Sequence, residues 1–328
     1  MIEAVSTEGG ADLNRRRALA GVDEAGLGPI LGPLVVAGAV LEGPPGGDPW
    51  RLLRRLVCRN RSETGKIRVA DSKKVHQGVQ KLAHIERTAL AFWGALAGDI
   101  PATVRDLLGA ADVDVAHLAR CPWYGALDAR LPLECDRDEL RLLAHRLGRE
   151  LERTSIRLLR LTFRVLDVEE FNALIAATNN KAEAHFGAYT EILADLLAAV
   201  PAAGGQVVAD RCGGRFHYGR ALSRRWPDAK IAVLSESPER SEYVVDRGGM
   251  KTKVTFAERA EEQAFPTALA SCLAKYVRET MIHSLNAWFV ARRPDLRPTA
   301  GYYTDGKRFL AEIEGMPDVP WERLVRCR

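Results

Sequence analysis

Hydrophobic and polar positions along the chain predict strands that alternate with helices. Short apolar or alternating runs are typical of strands, and they lie at 18–26, 31–41, 156–167, 204–210 and 230–237. The segment 241–259 predicts a hairpin that turns at Gly248 and Gly249. Apolar residues at helical spacing predict helices over 51–61, 75–93, 138–153, 168–199 and 266–289. This alternation indicates an α/β architecture with a mixed sheet.

Changes in composition divide the chain into four parts. Residues 1–17 are polar and contain glycine, so we expect a flexible N-terminus. Residues 95–155 read as an inserted subdomain within a main domain formed by 18–94 and 156–290, and 291–328 reads as a C-terminal helical extension. In the insertion, Trp123 and Tyr124 follow a proline; we expect them to anchor the insertion rather than to stack on a base.

Composition excludes several classes of protein. Hydrophobic residues make up 47% and charged residues 27% of the 328 residues, which is ordinary globular usage and excludes collagen-like or wholly disordered chains. No apolar stretch reaches the roughly 20 residues that span a bilayer, so we expect a soluble, cytoplasmic protein without membrane contact. The six cysteines form no CxxC pair, which predicts reduced thiols and no structural zinc site.

Carboxylates at the ends of predicted elements are the main candidates for chemistry. Asp23 and Glu24 lie where the first strand meets a glycine-rich turn, Asp210 ends another strand, and Glu279 lies on the late helix. Adjacent side chains on a flat strand point to opposite faces, so Asp23 and Glu24 can share a site only if the backbone turns there. Four carboxylates without a histidine cluster favour Mg²⁺ or Mn²⁺ over Zn²⁺. Alternatively, each acid simply marks a strand end or a turn.

Five segments in order give these acids a family context. The segment 21–33, GVDEAGLGPILGP, resembles the opening motif G-x-D-E-A-G-R-G-P-x-x-G-P of the type 2 ribonucleases H, the ribonuclease HII family. DSKK at 71–74 is similar to the D-S-K-K segment of that family, and the helix over 169–180 is similar to its N-I-x-x-A-T helix. The segment 258–279 resembles K-A-D…P…A-A-S-I-x-A-K-V-x-R-D, and GYYT at 301–304 resembles G-Y-G-T.

The resemblance implies a fold, a reaction and its partners. It implies a ribonuclease H-like fold with a mixed five-stranded sheet flanked by helices, in which 18–94 and 156–290 form the catalytic domain. It implies a hydrolase, an endonuclease that cuts the RNA strand of RNA/DNA hybrids or cuts DNA duplexes at embedded ribonucleotides. Two Mg²⁺ or Mn²⁺ ions would support hydrolysis to a 3′-hydroxyl and a 5′-phosphate.

The resemblance also implies roles for particular residues. The catalytic, metal-binding positions of the family fall on Asp23, Glu24, Asp210 and Glu279. The substrate-binding positions fall on the glycine turn at the 2′-hydroxyl, on a tyrosine that stacks beside that nucleotide, and on two lysines near the nucleic-acid backbone. These residues are Gly26, Leu27, Gly28, Tyr302, Lys73 and Lys275.

Two departures from the family pattern leave alternatives open. Leu27 stands where the family has arginine, and Glu279 stands where it has aspartate. One alternative is a catalytically impaired protein of the same fold that binds nucleic acid, or a protein partner through residues 95–155. The other is a nuclease of the same fold whose substrate is DNA.

Overall fold

The computed structural model describes residues 16–60, 63, 65–78, 81–201 and 204–327. The predicted flexible segment 1–17 lies outside this range except for Arg16 and Arg17. The strands are β1 (Arg17–Ala25), β2 (Leu34–Gly43), β3 (Val57–Cys58), β4 (Ile67–Arg68), β5 (Arg157–Leu166), β6 (Gly205–Asp210), β7 (Lys230–Glu236), β8 (Arg240–Arg247) and β9 (Met250–Ala257). The helices are α1 (Pro49–Leu52), α2 (Ser72–Val75), α3 (Lys81–Ala97), α4 (Val104–Gly109), α5 (Val115–Leu118), α6 (Arg137–Arg153), α7 (Val168–Thr178), α8 (Lys181–Ala199), α9 (Gly219–Arg225), α10 (Ala260–Gln263), α11 (Phe265–Arg292), α12 (Tyr303–Glu312) and α13 (Trp321–Leu324).

A mixed seven-stranded sheet carries the fold, in the order β5-β2-β1-β6-β9-β8-β7. Strands β1, β6 and β9 are parallel, and β2 runs antiparallel to both β1 and β5. The predicted α/β class with a mixed sheet is therefore confirmed. The sheet has seven strands instead of five because β7 and β8 extend it beyond β9 as an antiparallel meander.

Three predicted helices differ from the observed ones. The helix predicted over 168–199 is two helices, because Asn179 adopts a left-handed conformation with φ of 48° and the Asn180 side chain caps α8. The helix predicted over 51–61 is wrong: α1 ends at Leu52, and β3 pairs with β4 in a short parallel ladder. In place of one helix over 75–93, α2 ends at Val75 and α3 begins at Lys81, while residues 79 and 80 lie outside the described range.

The two faces of the sheet are covered by different helices. Ala20 and Val22 of β1 belong to the core beneath α8, whereas Ala25 belongs to the core shared with α3 and α11. Helix α11 lies directly on β1, since a Cβ at Gly21 would be 2.1 Å from the backbone nitrogen of Thr267. Only glycine allows this approach. Of the described helices, none combines the length and apolar character needed to cross a membrane.

The segment 95–155 is fastened to α11 through an aromatic cluster. Trp123 and Tyr124 are both buried. The Trp123 ring stacks on Phe289 with centroids 5.9 Å apart and meets the edge of Trp288 at 6.0 Å. Burial excludes Trp123 and Tyr124 from base stacking in this arrangement, so the anchoring role is the one that the structure supports.

Replacing Trp123 with alanine tests this anchor. We expect Trp123→Ala to lower the free energy of unfolding by about 3–5 kcal/mol, because it removes a large buried ring and leaves a cavity. Urea denaturation measures this change. Trp321→Ala is the matched control, since Trp321 is exposed and should change stability by less than about 1 kcal/mol. Equal small effects of the two substitutions would show that Trp123 is not an anchor.

Candidate active site

The carboxyl ends of two neighbouring parallel strands bring Asp23 and Asp210 side by side. The register pairs Val22 of β1 with Ala209 of β6, so the next residue on each strand is one of these acids. Neighbouring strands are about 4.8 Å apart, and both side chains lie on the sheet face that α10 and α11 cover. Asp23 is 7% exposed. The structure therefore brings these two of the predicted acids together at one edge of the sheet.

Helix α11 holds Asp23 in place. The Ser271 hydroxyl lowers the pKa of the Asp23 carboxylate, and the backbone N–H of Ser72 donates to Ser271 Oγ at 3.2 Å. The backbone N–H of Glu24 donates to Asp23 Oδ1 at 2.7 Å. Burial, followed by the charges of Glu24 and Asp210, raises the pKa of Asp23 well above its usual range. Without a cation, this group therefore favours its protonated form.

Glu24 turns to the opposite face of β1, where helix α8 positions it. The Tyr189 hydroxyl donates to Glu24 Oε2 at 2.5 Å, and His185 Nε2 lies 3.6 Å from the same oxygen. Burial raises the pKa of Glu24, but the interactions with His185 and Tyr189 outweigh burial and lower it overall. The two adjacent acids thus differ: Glu24 is stabilised as a carboxylate, and Asp23 is not.

Asp210 is surrounded by further negative charge. The backbone N–H of Ala260, at the start of α10, donates to Asp210 Oδ1 at 3.0 Å. Burial is the main cause that raises the pKa of Asp210 to about 7, and the charges of Glu24 and Glu261 add to it. Burial and the charge of Asp71 likewise raise the pKa of Glu261.

Glu261 is the acid of this cluster that the sequence analysis missed. A signal was present, because the K-A-D element of the family pattern falls on Arg259, Ala260 and Glu261 when the segment is aligned without gaps. The resemblance instead assigns the metal-binding position to the last acid of that segment, Glu279. The packing of α10 against β6 decides whether Glu261 or Glu279 lies near Asp210. This packing cannot be read from the sequence.

Glu279 is bound to basic side chains. Its Oε1 lies 2.5 Å from Lys275 Nζ and 3.5 Å from Arg278 Nη1, and its Oε2 lies 3.9 Å from His76 Nε2. Burial raises the pKa of Glu279, but the charges of Lys275 and Arg278 outweigh burial and lower it. Lys275 is 8% exposed, so its ammonium faces Glu279 rather than a solvent groove. The predicted ligand role of Glu279 and the predicted backbone contact of Lys275 remain predictions.

The predicted substrate-binding residues surround the same strand end. Gly26 has φ of +95°, Gly28 is exposed with open space around its Cα, and Leu27 packs against the core beneath α8. Tyr302 is 49% exposed, with the Arg278 guanidinium 5.5 Å from its ring centroid. Lys73 is exposed on α2, and its charge lowers the pKa of Glu24. An exposed aromatic ring and a cation therefore border the carboxylates.

A second acidic group lies two strands away, at the end of β5. Among the described residues, the metal-ligand atoms of His117, Asp167 and Glu169 all lie within 4.8 Å of one another. Arg120 Nη2 and Arg323 Nε lie 3.1 and 3.4 Å from Glu169 Oε2. These guanidiniums pair with Glu169, while Asp167 caps α7 and lies 3.3 Å from His117 Nε2. The group thereby links the 95–155 segment to α7 and α13. No local sequence pattern predicts it, because its members come from distant segments.

The raised pKa of Asp210 predicts a pH dependence of stability in metal-free protein. A folded-state pKa of about 7 against an ordinary value of 3.8 means that Asp210 stabilises the fold fully below about pH 4, and that this contribution is lost as the pH rises through 7. Relative to Asp210→Asn, we expect the wild type to lose on the order of 4 kcal/mol between pH 4 and pH 8. Urea denaturation in EDTA measures this difference, and parallel pH profiles of the two proteins would contradict it.

Comparisons with known proteins yield structural matches alone. No protein-family model and no curated protein sequence matches the chain. The PCNA:RNase HII complex from Archaeoglobus fulgidus matches with 18% identity over 94% of each chain and a TM-score of 0.44. Bst-RNase HIII in complex with Mn²⁺ matches with 16% identity over 94% of this chain and 66% of the Bst-RNase HIII chain, with a TM-score of 0.40. Ribonuclease H2 from Pyrococcus horikoshii OT3 matches with 15% identity over 90% and 86%, with a TM-score of 0.33. The chain is thus similar to ribonucleases H, the family that its motifs resemble.

Proposed function

We propose that this chain is a divalent-metal-dependent endonuclease that cuts the RNA strand of RNA/DNA hybrids or cuts DNA at embedded ribonucleotides. The observation that carries the proposal is the acidic cluster at the carboxyl ends of β1 and β6. Asp23 and Asp210 lie side by side on one face of the sheet, and the charge of Glu24, on the opposite face of β1, acts on both. Among the described residues, neither aspartate of this cluster has an ion pair with lysine or arginine. Buried carboxylates that repel one another in this way match the demand of a hard cation for oxygen ligands.

The donor set fits Mg²⁺ or Mn²⁺. Asp23, Glu24 and Asp210 supply carboxylate oxygens, and Glu261 or Glu279 would complete the set. When bound, two such ions supply an activated water and stabilise the negative charge that develops on the departing 3′ oxygen. Of the two candidates for the fourth position, the geometry favours Glu261, because its charge acts on Asp210 while Glu279 is neutralised by Lys275.

The side chains of this protein would orient the reacting groups. The backbone N–H of Glu24 binds the Asp23 carboxylate and Tyr189 binds that of Glu24, so both carboxylates are oriented before the reaction. The exposed ring of Tyr302 offers a face on which a base can stack. The turn 26–28 presents backbone groups without a large exposed side chain, which allows close approach of a ribose 2′-hydroxyl.

A nuclease of the same fold that acts on DNA is the second candidate. The observation that favours it is Leu27, which packs against the core and places no donor in the turn. Since the 2′-hydroxyl is the group that distinguishes RNA from DNA, the loss of a donor there weakens discrimination. The same assay therefore includes an all-DNA duplex.

The proposal is tested on end-labelled duplexes with Mg²⁺ or Mn²⁺. One duplex carries a single ribonucleotide, the second is an RNA/DNA hybrid and the third is all DNA. We expect ribose-dependent cutting that leaves 3′-hydroxyl and 5′-phosphate ends. Asp23→Asn should reduce it at least about 100-fold, because several kcal/mol of transition-state stabilisation are lost. Equal cutting of all-DNA substrate would establish the second candidate, and binding without cutting would establish an impaired, nucleic-acid-binding protein.

The fourth metal position is tested by three substitutions on neighbouring segments. We expect Glu261→Gln to reduce cutting as strongly as Asp23→Asn, and Glu279→Gln to reduce it by a smaller factor. Glu258→Gln is the matched control, since Glu258 is exposed and pairs with Arg211. The opposite ranking of Glu261→Gln and Glu279→Gln would assign the position to Glu279.

A further inference from the structure

The segment 325–327 lies against the glycine turn 26–32, where Val325 forms an isolated antiparallel bridge with Leu31 and Arg326 donates the hydrogen bonds. The backbone N–H of Arg326 donates to the Ile30 carbonyl at 3.0 Å. Its guanidinium donates from Nε to the Gly32 carbonyl at 2.8 Å and from Nη1 to the Gly26 carbonyl at 2.5 Å. Arg326 thus spans the turn from its first residue to its last, in a position that is 4% exposed.

Helix α7 fixes the other side of the same segment. Asn172 Nδ2 donates to the Val325 carbonyl at 2.9 Å, and the backbone N–H of Cys327 donates to Asn172 Oδ1 at 2.8 Å. The Arg326 guanidinium also lies 4.7 Å from the ring centroid of Phe171. The segment 325–327 is therefore hydrogen-bonded to α7 on one side and to the turn on the other.

The contacts of Arg326 are unusual for a buried cation. Among the described residues it has no carboxylate partner within ion-pair distance, and its Nη2 atom has no hydrogen-bond partner. A second buried guanidinium, that of Arg278, donates to the carbonyls of Leu31 and Ala300 from the α11 side. Desolvation makes an unpaired buried charge costly, and charge-assisted hydrogen bonds to carbonyls offset part of that cost. Because these hydrogen bonds offset the cost of burying Arg326, they also hold the backbone carbonyls that Arg326 binds.

We propose that Arg326 is a positioning residue that braces the turn 26–32 in its substrate-reading conformation. Its guanidinium holds the backbone of the turn from behind and does not replace a side-chain donor at Leu27. The inference rests on the proposed function for the meaning of the turn, but the brace itself is a property of the fold. Arg326 acts through the backbone of Gly26 and Gly32 and does not itself touch the substrate.

The test compares Arg326→Met, Arg326→Lys and the matched control Arg323→Met in the full chain. Arg323 lies three residues earlier and binds Arg120 and Glu169 instead of the turn. Hydrogen exchange of the amides in 26–32 measures the brace. Binding of the one-ribonucleotide duplex relative to the all-DNA duplex, in Ca²⁺, measures the reading of ribose, and kcat and KM are measured on the same duplex in Mg²⁺.

We expect faster exchange across 26–32 in Arg326→Met, a smaller increase in Arg326→Lys and none in Arg323→Met. The preference for ribose and kcat/KM should fall about 10-fold or more in Arg326→Met, with partial recovery in Arg326→Lys, because small displacements of positioning groups carry such costs. If Arg326→Met does not fold, Arg326→Lys carries the test. Unchanged exchange, or faster exchange with an unchanged preference for ribose, would overturn the inference. If the wild type itself cuts no substrate and has no preference for ribose, the proposed function fails, and exchange alone decides whether Arg326 braces the turn.

Discussion

The close contact between α11 and β1 is the constraint on which the site depends. At Gly21 the helix backbone occupies the space that any Cβ would need. This contact fixes the height and direction of a 28-residue helix over the strand that carries Asp23. Ser271, one turn further along α11, therefore reaches Asp23, and Arg278 reaches the carbonyl of Leu31 beneath the glycine turn. The close approach of α11 that Gly21 permits thus positions both the acidic cluster and the turn beside it.

Within the part of the chain that the structure describes, the cations around the site are distributed unevenly among the acids: they lie against Glu279 and not against Asp23 or Asp210. Lys275 and Arg278 lie within one helical turn of each other on α11, and both face Glu279. Asp23 and Asp210, which repel each other and carry raised pKa values, receive hydrogen bonds but no cation from the described residues. Burying acids without a counter-ion destabilises the fold. Leaving those acids unpaired is the arrangement expected where a soluble cation completes the site.

Sequence patterns predicted the sheet better than they predicted helix boundaries, for physical reasons. The apolar strands β1, β2, β5 and β6 are each bounded by glycine, proline or an acid, so their ends are visible in the sequence. The break between α7 and α8 is a single residue, Asn179, in a left-handed conformation, and the apolar period continues across it. The residues 51–61 have helical spacing, yet Val57 and Cys58 gain more from pairing with β4. Tertiary context overrides local propensity there.

Site residues could be predicted where strand pairing brings them together. They could not be predicted where tertiary packing decides which of two candidate acids lies in the site. Asp23 lies near the end of β1 and Asp210 ends β6, and the parallel pairing of these strands brings the two acids together. The choice between Glu261 and Glu279 depends on α10, a four-residue helix whose first N–H binds Asp210. The contact between Arg326 and Gly26 is even harder to predict from the sequence. The two residues are 300 positions apart, and Arg326 binds a backbone carbonyl, which leaves no side-chain motif. A turn can be held from so distant a segment because any buried donor that reaches its carbonyl oxygens fixes its backbone.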